Sequence, residues 1–157
     1  MDEIDLQDFK KKFTPREHEE QVQVIQWARL NEGLCPELHW LHAIPNGAKL
    51  PYSKGPNGKK TRSRQGQILK SEGLKTGVPD LCLPVPRKGK HGAYCEMKRI
   101  NGDGPTEEQR KWLEYLGSAG YHVACMYGAE QTIRFFADYL GLEVDPRFFN
   151  GYEPDYE

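Results

Sequence analysis

The sequence has no long apolar run. Among its 157 residues, no stretch approaches the roughly twenty apolar residues that a membrane-spanning helix needs. The first residues, Met1 to Asp5, also lack the basic-then-apolar order of a secretory signal peptide. Together these absences predict a soluble cytoplasmic protein that has no membrane partner.

Cysteine is also scarce. The four cysteines, Cys35, Cys82, Cys95 and Cys125, form no CxxC pair, and three of them lie in strand-like runs. This spacing favours neither a zinc site nor the dense disulfide framework of a small secreted domain. We therefore predict reduced, buried cysteines that behave as small hydrophobic residues. A chain of this length can bury a core of its own, and we expect one domain.

The net charge is only −1, but the charges are unevenly distributed. Acids cluster at the two ends, in residues 2–8 and 143–157, whereas the segment 49–75 contains a single acid, Glu72. The basic residues of that segment are Lys49, Lys54, Lys59, Lys60, Arg62, Arg64, Lys70 and Lys75. A local basic segment favours a surface that follows phosphates. The alternative is that each lysine only keeps a Gly- and Pro-rich loop soluble.

Two short strand-like runs carry the residues best suited to chemistry. Asp80 follows Gly-Val-Pro and precedes the apolar run 81–85, and Glu96 and Lys98 stand at alternate positions of the run 93–99. Alternate side chains of a strand share a face, so Glu96 and Lys98 point the same way. If the strands pair so that Asp80 lies beside Glu96, two carboxylates and an ammonium meet where one hydrated divalent cation fits. The alternative is a surface hairpin whose Glu and Lys are merely solvated.

The first helix is predicted from about Pro15 to Asn31. Thr14 is a suitable N-cap, Pro15 fits the first helical position, and Glu17 can complete a capping box. The helical period predicts one stripe formed by Glu17, Gln21, Val24, Ile25 and Ala28. Glu17 is explained either as a capping residue or as a third acid for the metal site, and the spacing does not decide between the two.

The remaining segments alternate between strands and helices. We expect a strand at Leu38 to Ile44, a turn at Pro45-Asn46-Gly47, a long loop with a second Pro-Asn-Gly, and a short exposed helix within Thr61 to Glu72. After the hairpin we expect a helix opened by Thr106 and Gln109, a strand at Tyr121 to Tyr127 and a last helix at Ala129 to Leu140. This order predicts an α/β domain with a central mixed β-sheet flanked by helices. The domain would span residues 15–142, between a loose arm at 1–14 and an acidic tail at 143–157.

From about Glu17 to Leu140 the sequence resembles the VRR-NUC family, a branch of the PD-(D/E)XK nuclease superfamily. The resemblance is carried by landmarks in the family's order: Glu17 and Gln21, Pro45-Asn46, Glu72-Gly73-Leu74-Lys75-x-Gly77-Val78-Pro79-Asp80, Glu96-x-Lys98-Arg99, Gln109 and Gly120-Tyr121. It implies a restriction-endonuclease-like fold and a DNA nuclease that depends on Mg²⁺ or Mn²⁺. Stand-alone members of this size resemble Holliday junction resolvases, which implies a homodimer that acts on branched DNA in replication or repair.

The resemblance also implies roles for individual residues. Asp80, Glu96 and Glu17 would bind the metal, with the carbonyl of Met97 as a further ligand and Glu20 as the substitute if the helix register differs by a turn. Lys98 would hold or polarise the attacking water. Gln21 and Gln109 would orient ligands or contact DNA, and the remaining DNA contacts are assigned to Asn46, Lys59, Lys60, Arg62 and Arg64.

One departure from the family concerns the insert 50–56, which is longer than expected and duplicates the Pro-Asn-Gly turn. Which copy contacts the substrate is therefore open. Two other classes compete with the nuclease. One is a catalytically silent module of the same fold that binds branched DNA or a protein partner. The other is an α/β domain with no link to nucleic acid, whose basic loop is only solubilising.

Overall fold

The computed structural model of the protein describes residues 16–46, 52–54, 56–58, 60–62 and 64–149. In chain order the elements are α1 (Glu17–Asn31), a 3₁₀ helix (Pro36–Trp40), β1 (His42–Ala43), β2 (Tyr52–Lys54), β3 (Lys60–Arg62), α2 (Arg64–Ser71), β4 (Leu81–Leu83), β5 (Ala93–Lys98), α3 (Glu107–Ser118), β6 (His122–Tyr127), α4 (Gly128–Leu140) and a second 3₁₀ helix (Pro146–Phe149). The chain divides into two compact units. Unit 1 is drawn from residues 1–39, 97–104 and 126–157, and unit 2 from residues 40–96 and 105–125.

The central sheet has the strand order β1-β4-β5-β6. The β1–β4 and β4–β5 pairs are antiparallel, and the connection from β5 to β6 runs through α3. A helical crossover of this kind is typical of parallel neighbours. The predicted α/β architecture with a mixed sheet and flanking helices is thus confirmed.

Unit 2 is built around β4, which is buried on both faces. Leu81 and Leu83 on one side of the strand and Cys82 on the other are all buried, and Ala93 and Cys95 of β5 are fully buried beside them. A strand that is covered on both sides needs a continuous apolar run rather than alternation, and Leu-Cys-Leu is such a run.

Unit 1 is formed largely by the packing of α1 against α4. Each helix contributes one apolar stripe: Val24, Trp27 and Ala28 from α1, and Ile133, Phe136 and Ala137 from α4. Both stripes follow the spacing of one helical face, so the helices bury them against each other. Gly141 ends α4 in the left-handed conformation, as expected of a glycine at this position.

Three details of the predicted elements are wrong. The N-cap of α1 is Arg16 rather than Thr14, and the acid that accepts from the N-cap backbone N–H, over 2.7 Å, is Glu19 rather than Glu17; Thr14 and Pro15 lie outside the described residues. Of the strand expected at 38–44 only His42–Ala43 forms a strand, and its first three residues belong to the 3₁₀ helix Pro36–Trp40. The buried residues Leu38 and Leu41 are three apart, which is the period of a 3₁₀ helix.

The long loop expected before α2 contains a second, two-stranded sheet. The strands β2 and β3 pair antiparallel with Tyr52 opposite Arg62. The second Pro-Asn-Gly, at 56–58, lies between them, and Gly58 has the positive φ that suits a hairpin turn. The duplicated motif is therefore the turn of this hairpin.

No disulfide joins the four cysteines, all of which lie in the described part of the chain. Cys35, Cys82 and Cys95 are buried as predicted, whereas the prediction is wrong for Cys125, which is only half-buried. No helix in the described ranges combines the length and apolarity that crossing a membrane requires. Residues 1–15 and 150–157, which hold the expected arm and most of the expected tail, lie outside the described residues, and the described start of that tail includes the 3₁₀ helix Pro146–Phe149.

Candidate active site

The register between β4 and β5 sets Asp80 beside Glu96. Leu81 pairs with Cys95 and Leu83 with Ala93 in an antiparallel ladder, so the next step of the same ladder pairs Asp80 with Glu96. Residues directly opposite each other in such a ladder project from the same face with Cβ atoms about 5 Å apart. The register of β4 with β5 is thus the one that the sequence analysis named as the condition for a shared cation.

A backbone hydrogen bond holds Asp80 from its other side as well. The Ile44 N–H donates to the Asp80 carbonyl oxygen over 2.8 Å, which extends the β1–β4 register of His42 with Cys82 by one step. Two flanking strands thereby fix the backbone that carries the carboxylate. A residue fixed on regular strands holds its side chain more accurately than one on a free loop.

Both carboxylates are buried. Asp80 is 4% exposed and Glu96 is 1% exposed, which overturns the alternative of a solvated surface hairpin. Cys95 and Met97, on the other face of β5, are fully buried in agreement with the prediction of a core side. Because buried carboxylates are costly unless they are paired, hydrogen-bonded or bound to a cation, this pair marks a specialised site.

Gln109 connects Glu96 to the first turn of α3. Its amide nitrogen donates to Oε1 of Glu96. Its amide oxygen accepts from the backbone N–H of Thr106 over 2.8 Å, and its own N–H donates to the Thr106 hydroxyl over 3.3 Å. The predicted capping box therefore fixes the side chain that holds one oxygen of the buried carboxylate.

The turn before Asp80 depends on Gly77. Its φ is +84°, and an added Cβ would lie 2.8 Å from the backbone carbonyl carbon of Glu108. Only glycine accepts both the left-handed backbone and this close approach. The Gly-Val-Pro-Asp motif therefore packs its turn directly against the first turn of α3, which also carries Gln109.

Lys98 lies two residues beyond Glu96 in β5, so both side chains leave the same face of that strand. The chain passes from unit 2 into unit 1 between Glu96 and Met97. Lys98 is half-buried, in contrast to Glu96. A partly exposed lysine side chain can place its ammonium group against an anionic ligand that arrives from solvent.

In unit 1 the buried acid of α1 is Glu20 rather than Glu17. Glu20 is 3% exposed, whereas Glu17 and Gln21 are half-buried. Burial raises the pKa of the Glu20 carboxyl, and N–H groups of Ile100 and Ala129 oppose that rise by donating to it. Its Oε2 is buried and has no hydrogen-bond partner among the described residues.

Gly128 makes room for this carboxylate. An added Cβ would lie 2.6 Å from Cγ1 of Ile100 and 3.0 Å from Oε1 of Glu20, at a φ of +80°. Glu20 therefore anchors the start of α4 through the Ala129 N–H while one oxygen remains available. The signal that could have identified it is the row Glu20, Val24, Trp27, which follows one helical face.

The predicted DNA contacts fall in several places. Arg64 begins α2 and is exposed, Lys60 and Arg62 belong to β3, and Lys59 lies outside the described residues. Asn46, from the first Pro-Asn-Gly, is buried shortly after β1, and Asn57, from the second, is exposed in the β2–β3 turn. The first copy is therefore the one close in sequence to the strand that flanks Asp80.

The donor set fits a hard cation. Among the described residues no three His, Cys, Asp or Glu side chains are grouped as a preformed metal site, so the pair formed by Asp80 and Glu96 is the core of the candidate. Carboxylate oxygens suit Mg²⁺ and Mn²⁺, which usually take one or two carboxylates and keep several waters. Two opposed, buried carboxylates match that requirement.

Comparison with known proteins assigns the chain to a class of nuclease-type domains. The family model described as the VRR-NUC domain matches residues 15–130 of the chain, and the chain belongs to this family. A solved structure described as a VRR_NUC domain protein is similar over 83% of this chain and 92% of its own, with 23% sequence identity and a TM-score of 0.64. No curated protein sequence matches the chain. The restriction-endonuclease-like fold expected from the sequence is confirmed.

Proposed function

We propose that this VRR-NUC domain is a DNA nuclease that hydrolyses phosphodiester bonds with a divalent cation and selects branched DNA. The observation that carries the proposal is the register that sets Asp80 opposite Glu96, both buried, with Lys98 on the same face of β5 as Glu96. Phosphodiesters resist attack because the nucleophile and the phosphate are both anionic and the leaving alkoxide is poor. A cation site with an adjacent ammonium addresses each of these obstacles.

Asp80 and Glu96 would hold Mg²⁺ or Mn²⁺, with the main-chain carbonyl of Met97 as a further oxygen ligand. When bound, the cation neutralises phosphate charge and lowers the pKa of a coordinated water. The two carboxylates repel each other, so the protein gains stability when the cation neutralises them. Their burial excludes bulk water, which strengthens every electrostatic interaction at the site.

Gln109 keeps Glu96 in one orientation, and Lys98 acts on the reacting groups. Because the Gln109 amide occupies Oε1 of Glu96, the carboxylate cannot turn freely. The Lys98 ammonium holds the attacking water and stabilises the negative charge that develops on the phosphate. By the family resemblance, the products carry a 5′-phosphate and a 3′-hydroxyl.

The role of the helix acid goes to Glu20 rather than to Glu17. Glu20 is buried, and its Oε2 has no hydrogen-bond partner in the described residues, which is the condition of a carboxylate that can accept a cation or a metal-bound water. Glu17 is half-buried in the first turn of α1, where an acid complements the helix dipole. Glu20→Gln should therefore reduce cleavage far more than Glu17→Gln.

DNA contacts are proposed for Asn46 and Gln21 and for the basic segment that includes Lys59, Lys60, Arg62 and Arg64. Asn46 belongs to the Pro-Asn-Gly copy next to β1, and the second copy is the turn of a basic hairpin that can follow phosphates. We extend the proposal to a homodimer, on the family resemblance alone, and to the cytoplasm, on the sequence alone.

One incubation series tests the proposal. The purified protein is mixed with labelled linear duplex, flap, fork and four-way junction DNA, with Mn²⁺, with Mg²⁺ and with chelator. Metal-dependent cleavage that prefers a branched substrate is the expected result. Tight binding to branched DNA without cleavage under any condition would instead support the catalytically silent module.

A further inference from the structure

Unit 2 contains an open groove of about 620 Å³ between the end of α2, the following turn and α3. Its walls include Lys70, Lys75, Thr76, Lys111, Trp112 and Tyr115. The α3 residues of this wall lie on the helix face that neighbours the one carrying Gln109. The helix α3 thus contacts the carboxylate pair through one face and lines the groove with the neighbouring face. A cavity of several hundred Å³ is large enough for a nucleotide.

Two aromatic rings on α3 face the groove. Trp112 and Tyr115 are three residues apart, so they are neighbours on the helix surface. The Trp112 indole N–H donates to the Thr76 carbonyl oxygen over 3.1 Å, which fixes the indole against the turn. Tyr115 is 64% exposed. Rigid aromatic surfaces of this kind stack planar ligands at little cost in conformational entropy.

The groove also carries excess positive charge. Its acid, Glu108, is neutralised by Lys111 at 3.1 Å, and the same ammonium lies 3.1 Å from Glu107. Lys70 and Lys75 form no ion pair with any residue that the structure describes. Two ammonium groups that no described residue neutralises, beside two aromatic rings, suit a ligand with a flat π-face and an anionic backbone. An acidic protein segment would match the charge but would not need the exposed ring.

We propose that this groove binds an unpaired nucleotide of a DNA strand, with the base stacked on Tyr115 beside Trp112 and the flanking phosphates on Lys70 and Lys75. The assignment rests on the proposed nuclease function, and it names the structural feature of the substrate that is recognised. Bases inside a duplex are already stacked, so only a single-stranded segment can offer its face to the ring. The groove therefore selects flaps, forks and single-stranded ends over blunt duplex.

The distance along the chain supports delivery of that strand to the carboxylates. Thr76 precedes Asp80 by four residues, which span at most about 14 Å. That is about four nucleotides at the rise of a duplex strand, and fewer in an extended single strand. A nucleotide seated in the groove therefore keeps the bonds a few nucleotides away within reach of Asp80.

The test is binding, measured in chelator so that no cleavage is needed. Fluorescence anisotropy gives the affinity of labelled oligo(dT) and of a blunt duplex of equal length for the wild-type chain, Tyr115→Ala and Tyr115→Phe. We expect Tyr115→Ala to weaken oligo(dT) binding about tenfold, with less than about a twofold change on the duplex. Tyr115→Phe keeps the ring and should stay within about twofold of wild type on both.

The lysines are tested by Lys70→Ala/Lys75→Ala against Lys88→Ala/Lys90→Ala, an equal charge change in the connection between β4 and β5. The groove pair should lower oligo(dT) affinity more than the control pair.

The proposal would be overturned by no measurable oligo(dT) binding by the wild type, by no change of affinity in Tyr115→Ala, or by equal losses of affinity on both DNAs. A change in the sedimentation of Tyr115→Ala would also overturn it, because it would show that this face is a contact between copies of the chain. If the wild type cleaves DNA but Tyr115→Ala leaves the DNA affinities unaltered, only the groove proposal is refuted. If the wild type binds DNA as expected but never cleaves it, only the nuclease proposal is refuted.

Discussion

Gln109 ties Glu96 to the start of α3. Its amide nitrogen donates to the Glu96 carboxylate and its amide oxygen accepts from the Thr106 backbone. The N-terminal cap of a helix and the orientation of a buried carboxylate thus depend on a single side chain. A change at this position should affect folding and chemistry together, whereas a change at Thr106 should affect folding alone.

Gln109→Ala should lower cleavage about tenfold to a hundredfold, because Glu96 loses the partner that orients it. The matched control is Thr106→Ala, which removes the N-cap hydroxyl at a cost of about 1 kcal/mol in the free energy of unfolding but leaves the contact to Glu96. Cleavage rates and urea denaturation of both variants provide the measurement. Equal losses of activity in the two variants would mean that Gln109 acts only as a cap.

Gly77→Ala should destabilise the protein more than Gly73→Ala. Both glycines have positive φ, at +84° and +102°, but only at Gly77 would a Cβ meet backbone, 2.8 Å from the carbonyl carbon of Glu108. Gly73→Ala should cost about 1–2 kcal/mol through backbone strain, and Gly77→Ala a further 1–3 kcal/mol or so through the clash. Chemical denaturation measures both. Equal costs would show that the turn can move away from α3.

Much of this geometry could be predicted from the sequence where the signals are local. The capping box of Thr106 and Gln109 lies within four consecutive residues and has the expected structure. The pairing of Asp80 with Glu96 could be stated only as a condition, because strand register is set by the whole hairpin.

The features that the sequence did not predict depend on tertiary contacts. Glu20 and Glu17 are both acids in the first turn of α1, and which of them is buried depends on the packing of α1 against α4. The strand expected at 38–44 is confined to His42–Ala43 and follows a 3₁₀ helix, because the spacing of its apolar residues suits either period. The groove was missed because α2, a turn and α3 form it together, and each appears unremarkable on its own.

Glu20→Gln should stabilise the protein increasingly as the pH rises. Burial raises the pKa of Glu20 above its ordinary value of 4.5. The stabilising contribution of the protonated acid is therefore complete below pH 4.5 and is lost as the pH rises through the folded-state pKa. The substituted glutamine still has an oxygen that accepts from the N–H groups of Ile100 and Ala129, and it does not ionise. Thermal melts in chelator at pH 4 to 8 or so should show a growing gain for Glu20→Gln.

Glu17→Gln is the control for that series, because its side chain is half-buried and lies one turn away on the same helix. Its melting temperature should stay close to that of the wild type across the pH range, because the Glu17 charge is the smallest of the causes that raise the pKa of Glu20. A gain for Glu20→Gln that is constant with pH would contradict the assignment of the effect to ionisation of the buried carboxyl.

Neutralising Lys59, Lys60, Arg62 and Arg64 together should weaken DNA binding and flatten its dependence on salt. Each phosphate contact contributes about 0.9 to the slope of log affinity against log salt concentration, so four lost contacts reduce the slope by about 3.6. Affinity measured over a series of salt concentrations gives the slope. An unchanged slope would remove the β2–β3 hairpin and the start of α2 from the DNA interface.

Lys98→Ala should abolish cleavage and leave binding nearly intact. In the proposed mechanism the ammonium acts on the attacking water and the developing charge, so its loss should raise the barrier without removing the contacts that position DNA. Single-turnover cleavage and anisotropy in chelator separate the two effects. A variant that fails to fold in thermal melts would return Lys98 to a structural role.

The central claim is that Asp80 and Glu96 together hold the cation that makes phosphodiester hydrolysis possible. Its most direct test is the cleavage rate of a labelled branched DNA by the wild type and by Asp80→Asn in saturating Mn²⁺, with DNA affinity measured in chelator. Asp80→Asn should lose cleavage by at least about a thousandfold while its affinity for DNA stays within about threefold of wild type. Cleavage by Asp80→Asn at a rate near that of the wild type would contradict the account.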